Sequence, residues 1–401
     1  MANQSVRCTG GLDNIASLWL WISPMVRRSA VKVSRGVLLT VALLLAACAQ
    51  VPETDPATDA SVADFEALGF SPRGLRLLDR YVVAKSTHSM RVSVGGQLLY
   101  THGPQDETTY IASVRKSVLA MLYGPFVADG TIELDATLED IGFDDIDGLL
   151  PIEKQATIRD LISARSGVYH VASNGGDNSA DAPERGSQKP GAYFLYNNWD
   201  FNAAGAIFEQ LTGRNIYKEV HRQIVIPTGM QDFDLAMHLD KAKTGNLKRS
   251  KFPAYHMHFS TRDLIKVGQL MLQRGNWNGT QLFNENWIDA VVTTHTPLAE
   301  MNPPALRKGQ FGYGYMWWVF DEATHGPEYK GAYAARGHFG NYIVVLPALD
   351  MVISHKTWPI RYKSPAEYAD INVTWREMQH KIDRLLAARS EPSIGAETEG
   401  D

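Results

Sequence analysis

The run Val118-Leu-Ala-Met-Leu-Tyr123 is apolar on every side of any helix drawn through it. No other feature of the 401-residue chain constrains the fold as much. A helix without a polar face belongs in the centre of a domain, covered all round by other elements. Gly124-Pro125 follows and predicts its end. At its start lie two residues able to do chemistry, Ser113 and Lys116, within Ile-Ala-Ser-Val-Arg-Lys-Ser. Residues at i and i+3 share a helix face. A lysine amine can then reach the serine hydroxyl and take its proton, which serine needs to become a nucleophile. Burial in an apolar helix lowers a lysine pKa and suits it to act as a base. A serine at a helix start also has a free backbone N–H that can stabilise an oxyanion. The structural alternatives are a serine N-cap and a solvated lysine. Spacing alone does not decide, since Ser29 and Lys32 repeat it in a stretch that reads as a targeting segment.

Around this helix the chain divides into recognisable stretches. Ser71-Pro72 caps a helix through about Val83. Gly95-Gly96 joins Met90–Val94 to Gln97–Tyr100 as a two-residue hairpin. Residues from about 130 to 290 are rich in helices and loops. Trp317 to Pro347 and Asp350 to Lys356 alternate apolar and turn residues, as antiparallel strands do. Ser364-Pro365 caps a final helix to about Ala388, and the residues from Ser390 read as a tail. Strands at both ends with helices inserted between them make an α+β fold, an antiparallel sheet flanked by helices plus an inserted helical lobe.

Two further motifs follow Ser113-x-x-Lys116. Tyr196-Asn197-Asn198 is the only Tyr-x-Asn in the chain. Ala335-Arg-Gly-His338-Phe-Gly340-Asn341 opens a glycine-rich strand near the C-terminus. Ser-x-x-Lys, then Tyr-x-Asn, then a Lys- or His-x-Gly strand is the order found in penicillin-recognising serine hydrolases. Over about residues 65–390 the chain resembles the beta-lactamase-related family: class C beta-lactamases, DD-peptidases, and the esterases and amidases on that scaffold. Leu161-Ile-Ser-Ala-Arg-Ser-Gly167, Gly229-Met-Gln-Asp232, Ser260-Thr-Arg-Asp-Leu264 and Phe311-Gly-Tyr-Gly-Tyr-Met-Trp317-Trp318 carry the same resemblance.

The resemblance implies a beta-lactamase/transpeptidase-like fold and an acyl-enzyme on Ser113. It implies Lys116 as base, Tyr196 as second base or proton shuttle, and Asn198 as the residue that orients Lys116 and the substrate carbonyl. A core aromatic at Tyr196 and a turn at Asn197-Asn198 are the plainer readings. The glycine-rich strand near the C-terminus does not carry the family's Lys-Thr-Gly. Its place falls either to His338-Phe-Gly340 or to the strand near Lys330-Gly331. His338 and Gly340 are therefore expected to bind substrate, with a satisfied strand histidine as the alternative. The strand around 332–340 should supply a second oxyanion N–H. Without Lys-Thr-Gly in that strand a carboxylate-bearing beta-lactam loses a cationic partner, which favours a small ester or amide. DD-peptidase or beta-lactamase action is one alternative, and a non-catalytic envelope-binding lipoprotein another.

Several readings lie outside these motifs. His256-Met-His258 has metal-like spacing, but lacks a nearby third ligand and reads as packing before a Ser260 N-cap. Tyr169-His170 lines a cleft or is plain loop. Trp199, Trp317 and Trp318 wall an apolar pocket or fill the core. No cofactor motif occurs.

The N-terminus reads as a signal peptide over residues 1–47, with Met25 as an alternative start. Arg27, Arg28, Lys32 and Arg35 precede the apolar run Val37–Ala46, too short to span a membrane. Leu45-Ala-Ala-Cys48 resembles a lipobox, which implies lipidation of Cys48. Ordinary Ala-x-Ala cleavage is the alternative. Ala49 rather than aspartate points to a periplasm-facing anchor at the outer membrane. Residues 48–64 form a polar, proline-bearing tether, 65–390 the hydrolase domain and 391–401 a tail. Cys8 is the only other cysteine, so the domain must be held by its core rather than by disulfides. The chain carries 44 acidic and 39 basic residues, and five of the bases lie before Cys48. That balance argues against nucleic acid as a partner. The expected partners are a small ester, amide or peptide substrate and a lipid anchor.

Overall fold

A computed structural model of the chain describes residues 65–357 and 371–389. Cys48, the tether, Ser364-Pro365 and the C-terminal tail lie outside the described residues.

Seven antiparallel strands form one sheet in the order β2-β1-β13-β12-β11-β10-β9. Strands β1 (Ser89–Val94) and β2 (Gln97–His102) are the expected hairpin. Gly95 and Gly96 both hold positive φ at its turn, which a tight twisted hairpin requires. The other five strands come from the far end of the chain: β9 (Phe311–Tyr313), β10 (Trp318–Phe320), β11 (Tyr333–Gly337), β12 (Asn341–Leu346) and β13 (Met351–Lys356). The N-terminal hairpin joins them through β1, whose Ser89 pairs with Lys356 and Val94 with Met351. Three two-stranded ribbons lie outside this sheet. They pair β3 (Thr109–Tyr110) with β6 (His258–Phe259), β4 (Lys243–Thr244) with β5 (Ala254–Tyr255), and β7 (Asn276–Trp277) with β8 (Thr280–Gln281).

The helices, in chain order, are α1 (Pro72–Ala84), α2 (Val114–Ala128), α3 (Ile158–Ile162), α4 (Asn198–Thr212), α5 (Ile216–Val220), α6 (Leu235–Lys241), α7 (Thr261–Leu272), α8 (Glu285–Val292) and α9 (Ile371–Ala387). Ser71 caps α1 and Ser260 caps α7, both as the sequence predicts. Helix α7 lies against β1, β12 and β13. It comes so close at Gly268 that an added Cβ would sit 2.3 Å from Val352. The neighbouring clash would be with Ile343, so Ile343 faces α7. Tyr342, one residue away, faces the other side and meets Trp375 of α9, ring centres 5.2 Å apart. Thus α7 and α9 cover opposite faces of the sheet.

Helix α2 has almost no solvent-facing side, as its apolar sequence demands, and is enclosed by α4, α8 and β11. It does not stop at Gly124-Pro125 but continues to Ala128 with Pro125 inside it. Proline forfeits one intrahelical bond, yet Phe126 beyond it is buried and holds the last turn. Gly124 serves a different need: a Cβ there would lie 2.5 Å from the Trp287 ring, whose Nε1 donates to Ala120 O at 2.9 Å. Tertiary packing, not the local Gly-Pro signal, sets the helix length.

Candidate active site

Ser113 is the N-cap of α2 and makes no side-chain capping bond. Its hydroxyl is therefore not consumed by the helix it begins. The preceding segment is pinned by the β3–β6 ribbon and by Ile111 N–H donating to Met257 O at 3.0 Å. Ala112 then adopts φ +49°, a left-handed conformation that costs energy for a non-glycine residue. The turn aims Ser113 at the end of β11. Gly337 lies against it: an added Cβ would sit 2.5 Å from Ile111 O and 3.2 Å from Ser113 N.

One turn into α2, Lys116 is 1% exposed. Its Nζ donates to Tyr196 Oη and to Asn198 Oδ1, both at 2.7 Å. The amine also sits 4.1 Å from the Tyr196 ring centre and 4.2 Å from that of Phe201. Burial holds its pKa well below the ordinary lysine value, and the neighbouring Arg115 cation lowers it further; Asp177 and Asp200 oppose this. Burial raises the Tyr196 phenol, while contact with the Ser113 hydroxyl and the Arg115 charge pull it back. The pair thus favours a neutral amine beside a protonated phenol, facing a serine.

Tyr196 stands just before α4, and Asn198 begins that helix. Asn197 caps it by accepting from Asp200 N–H at 2.9 Å. Asn198 is held on three sides. Its Nδ2 donates to Gly175 O at 2.7 Å and its N–H to Asp177 Oδ2 at 2.6 Å. With the amide nitrogen committed to a carbonyl, the amide oxygen is left for Lys116. Buried Asp200 accepts from Ser166 Oγ at 2.6 Å, and burial raises its pKa well above the carboxylate range. Trp318 closes the other side of Tyr196, ring centres 5.4 Å apart.

The structure brings Ser113, Lys116, Tyr196 and Asn198 together. It also separates the two positions open to the third motif. Gly337, just before His338, adjoins Ser113, whereas Lys330 and Gly331 lie exposed before the opposite end of β11. His338 Nε2 is bonded to Gly176 O at 2.9 Å, so one ring nitrogen is already committed; Nδ1 is buried without a partner. Gly340 has positive φ and packs on Thr357, where a Cβ would sit 2.6 Å away, while its carbonyl accepts from His355 Nδ1. Packing against Thr357, just past the end of β13, accounts for that glycine.

Of the three tryptophans, only Trp318 meets the site. Trp199 donates to Asp145 and Trp317 to Ser117 O, both in the core. His170 is a loop residue bonded to Ile146 O, while Tyr169 keeps a buried, unpartnered hydroxyl near Asp200. His258 N–H donates to His238 Nε2 at 3.0 Å and His256 packs on Tyr110, which is the packing role expected of the pair. Burial pushes both imidazoles down to about 4. Among the described residues no group of three His, Cys, Asp or Glu side chains could hold a metal ion, and no helix is long and apolar enough to cross a membrane. Arg115, Asp177 and Gly337 were not singled out by sequence. The one signal for Arg115 was a second cation beside Lys116 at the start of a helix whose remaining turns are apolar.

A family model described as Beta-lactamase matches residues 78–355. Solved structures share the fold at low identity. A candidate 6-aminohexanoate-dimer hydrolase from Bacillus anthracis is 18% identical, with a TM-score of 0.55, covering 77% of this chain and 82% of that one. EstCE1, a hydrolase with promiscuous acyltransferase activity, is 14% identical, with a TM-score of 0.54 and coverage of 79% and 100%. An octameric penicillin-binding protein homologue from Pyrococcus abyssi is 18% identical, with a TM-score of 0.52 and 77% coverage of each chain.

Proposed function

Since the chain belongs to the Beta-lactamase family, we propose that it is a serine hydrolase that cleaves a small ester or amide through an acyl-enzyme on Ser113. The observation that carries this reading is the buried Lys116 amine bonded to Tyr196 and Asn198 at one end of a helix that begins at Ser113. Ser113 Oγ attacks the carbonyl carbon, and its proton passes to the neutral Lys116 amine. The oxyanion is met by the Ser113 N–H and by backbone at the β11 end. As the intermediate collapses, the bond to the leaving group breaks and the Lys116–Tyr196 pair returns a proton to it. Water then attacks the acyl carbon, with the same pair as base, and frees Ser113.

The preference for a simple ester or amide over a beta-lactam rests on the absence of Lys-Thr-Gly from the strand facing Ser113, since Lys243-Thr244-Gly245 starts on the β4–β5 ribbon with Lys243 paired to Glu209, and on His338 being engaged with Gly176. A fluorophosphonate probe tests the nucleophile: wild type labels and Ser113→Ala does not, and equal labelling of the two removes Ser113 from this role. A panel of p-nitrophenyl esters, a chromogenic cephalosporin and D-Ala-D-Ala peptides tests the substrate class. Esters are expected to turn over fastest. Faster cephalosporin turnover overturns the preference.

For location, the reading is a lipoprotein anchored through Cys48, motivated by the basic stretch, the short apolar run and Leu-Ala-Ala-Cys in that order. Mass spectrometry of the mature N-terminus is expected to find an acylated Cys48. An unmodified chain cut at an Ala-x-Ala site excludes the anchor and leaves the serine chemistry untouched.

A further inference from the structure

On the α9 face of the sheet lies a cavity of about 490 Å³ that includes neither Ser113 nor Lys116. Its floor is Arg336 of β11. The β11–β12 register pairs Arg336 with Tyr342, and Ala335 with Ile343. Arg336 therefore points to the side that α9 covers, while its neighbours Ala335 and Gly337 face the nucleophile helix. Trp318 stands between the two sites, touching Tyr196 on one side and Arg336 on the other.

Arg336 is 7% exposed. Three rings hold its guanidinium: Phe311, Trp318 and Trp375, with centres 4.5, 4.7 and 4.9 Å from Cζ. Aromatic faces stabilise a cation, but they leave its in-plane N–H donors unused. Its Nε is buried without a hydrogen-bond partner, and no carboxylate is among the charges acting on it. Burial lowers its pKa to about 10, so the charge persists at neutral pH; the groups opposing that fall are the phenols of Tyr342 and Tyr196, not acids. A buried cation with free donors is costly unless an anion meets it. The lining otherwise suits an anion with a carbon tail. Lys308 and Arg376 add positive charge at the wall, Met301, Leu306 and Phe311 supply apolar surface, and the one carboxylate, Asp383, accepts from Gln379.

We propose that this cavity is a second ligand site that takes a small organic carboxylate, its two oxygens on the Arg336 fork and its aliphatic tail on Met301, Leu306 and Phe311. A planar guanidinium fixed by stacked rings is pre-organised for a bidentate carboxylate. The volume lies in the range of ordinary small-molecule pockets.

Titration calorimetry on the full chain tests this with sodium hexanoate and its neutral isostere hexanamide. Hexanoate is expected to bind, and hexanamide to bind at least roughly tenfold more weakly. Arg336→Gln should lose the binding, while protein phosphonylated at Ser113 should keep it. Equal binding of acid and amide, binding of neither, or binding abolished by the Ser113 adduct would each overturn the proposal. Should Arg336→Gln fail to fold, Ala305→Asp on the exposed wall of the same cavity serves: it should weaken hexanoate roughly tenfold by repulsion, and unchanged affinity refutes the site. The acid–amide comparison and the Arg336 and Ala305 variants need no reaction at Ser113, so the hydrolase reading can fail while this one stands, and the reverse.

Discussion

Arg115 places a fixed positive charge beside Lys116, the proposed base. Its Nη2 donates to Asn202 Oδ1 at 3.1 Å, and its Cζ lies 4.3 Å from the Tyr255 ring centre. That fixes a positive charge one residue from Lys116. The charge disfavours protonation of the amine, so removing it raises the Lys116 pKa. With the neutral amine as the proposed base, activity is expected above that pKa and lost as pH falls through it. Arg115→Met is therefore expected to move the acid limb of the kcat/KM profile to higher pH, while Arg115→Lys, which keeps the charge, leaves it close to wild type. An unmoved limb in Arg115→Met removes the electrostatic role. That Ser113, Lys116, Tyr196 and Asn198 come together was legible through the motif order of the family the chain resembles. Arg115 was not, because its effect depends on burial and on Tyr255, far away in the chain.

At the scale of elements, the β hairpin, the N-caps of α1 and α7 and the buried character of α2 were all legible, since each follows from residues within a turn of one another. The length of α2 was not. Gly124-Pro125 carries a strong local stop signal, and Trp287 of α8, more than 160 residues away, overrides it by packing on Gly124. Gly124→Ala, favourable by helix propensity alone, is thus expected to destabilise the protein by about 1–3 kcal/mol through the clash with Trp287. Thermal unfolding would show it as a lowered Tm. A raised Tm would mean that propensity governs this position. The third motif posed a similar limit: only the long-range contact of β11 with the Ile111–Ser113 turn separates Gly337 beside the serine from Lys330 at the other end.

For the whole molecule, the decisive contact is the one between sheet and helical lobe at Gly337. The strand end and the turn before Ser113 meet where only a hydrogen fits. Gly337→Ala should force the two apart, lowering kcat by an order of magnitude or more, since a shift of about an ångström in a reacting geometry can cost a hundredfold. Circular dichroism should still report a folded protein. A variant with normal kcat would show that β11 does not position the nucleophile. The sheet itself adds a consequence in time. Strand β1 finds its partner β13 only after some 250 intervening residues have been made. Until then a nascent or truncated chain carries an unpaired hairpin edge open to aggregation, and a serine without the strand that faces it. If Ser113 is the nucleophile as proposed, a chain interrupted anywhere before β11 should be silent as well as unfinished.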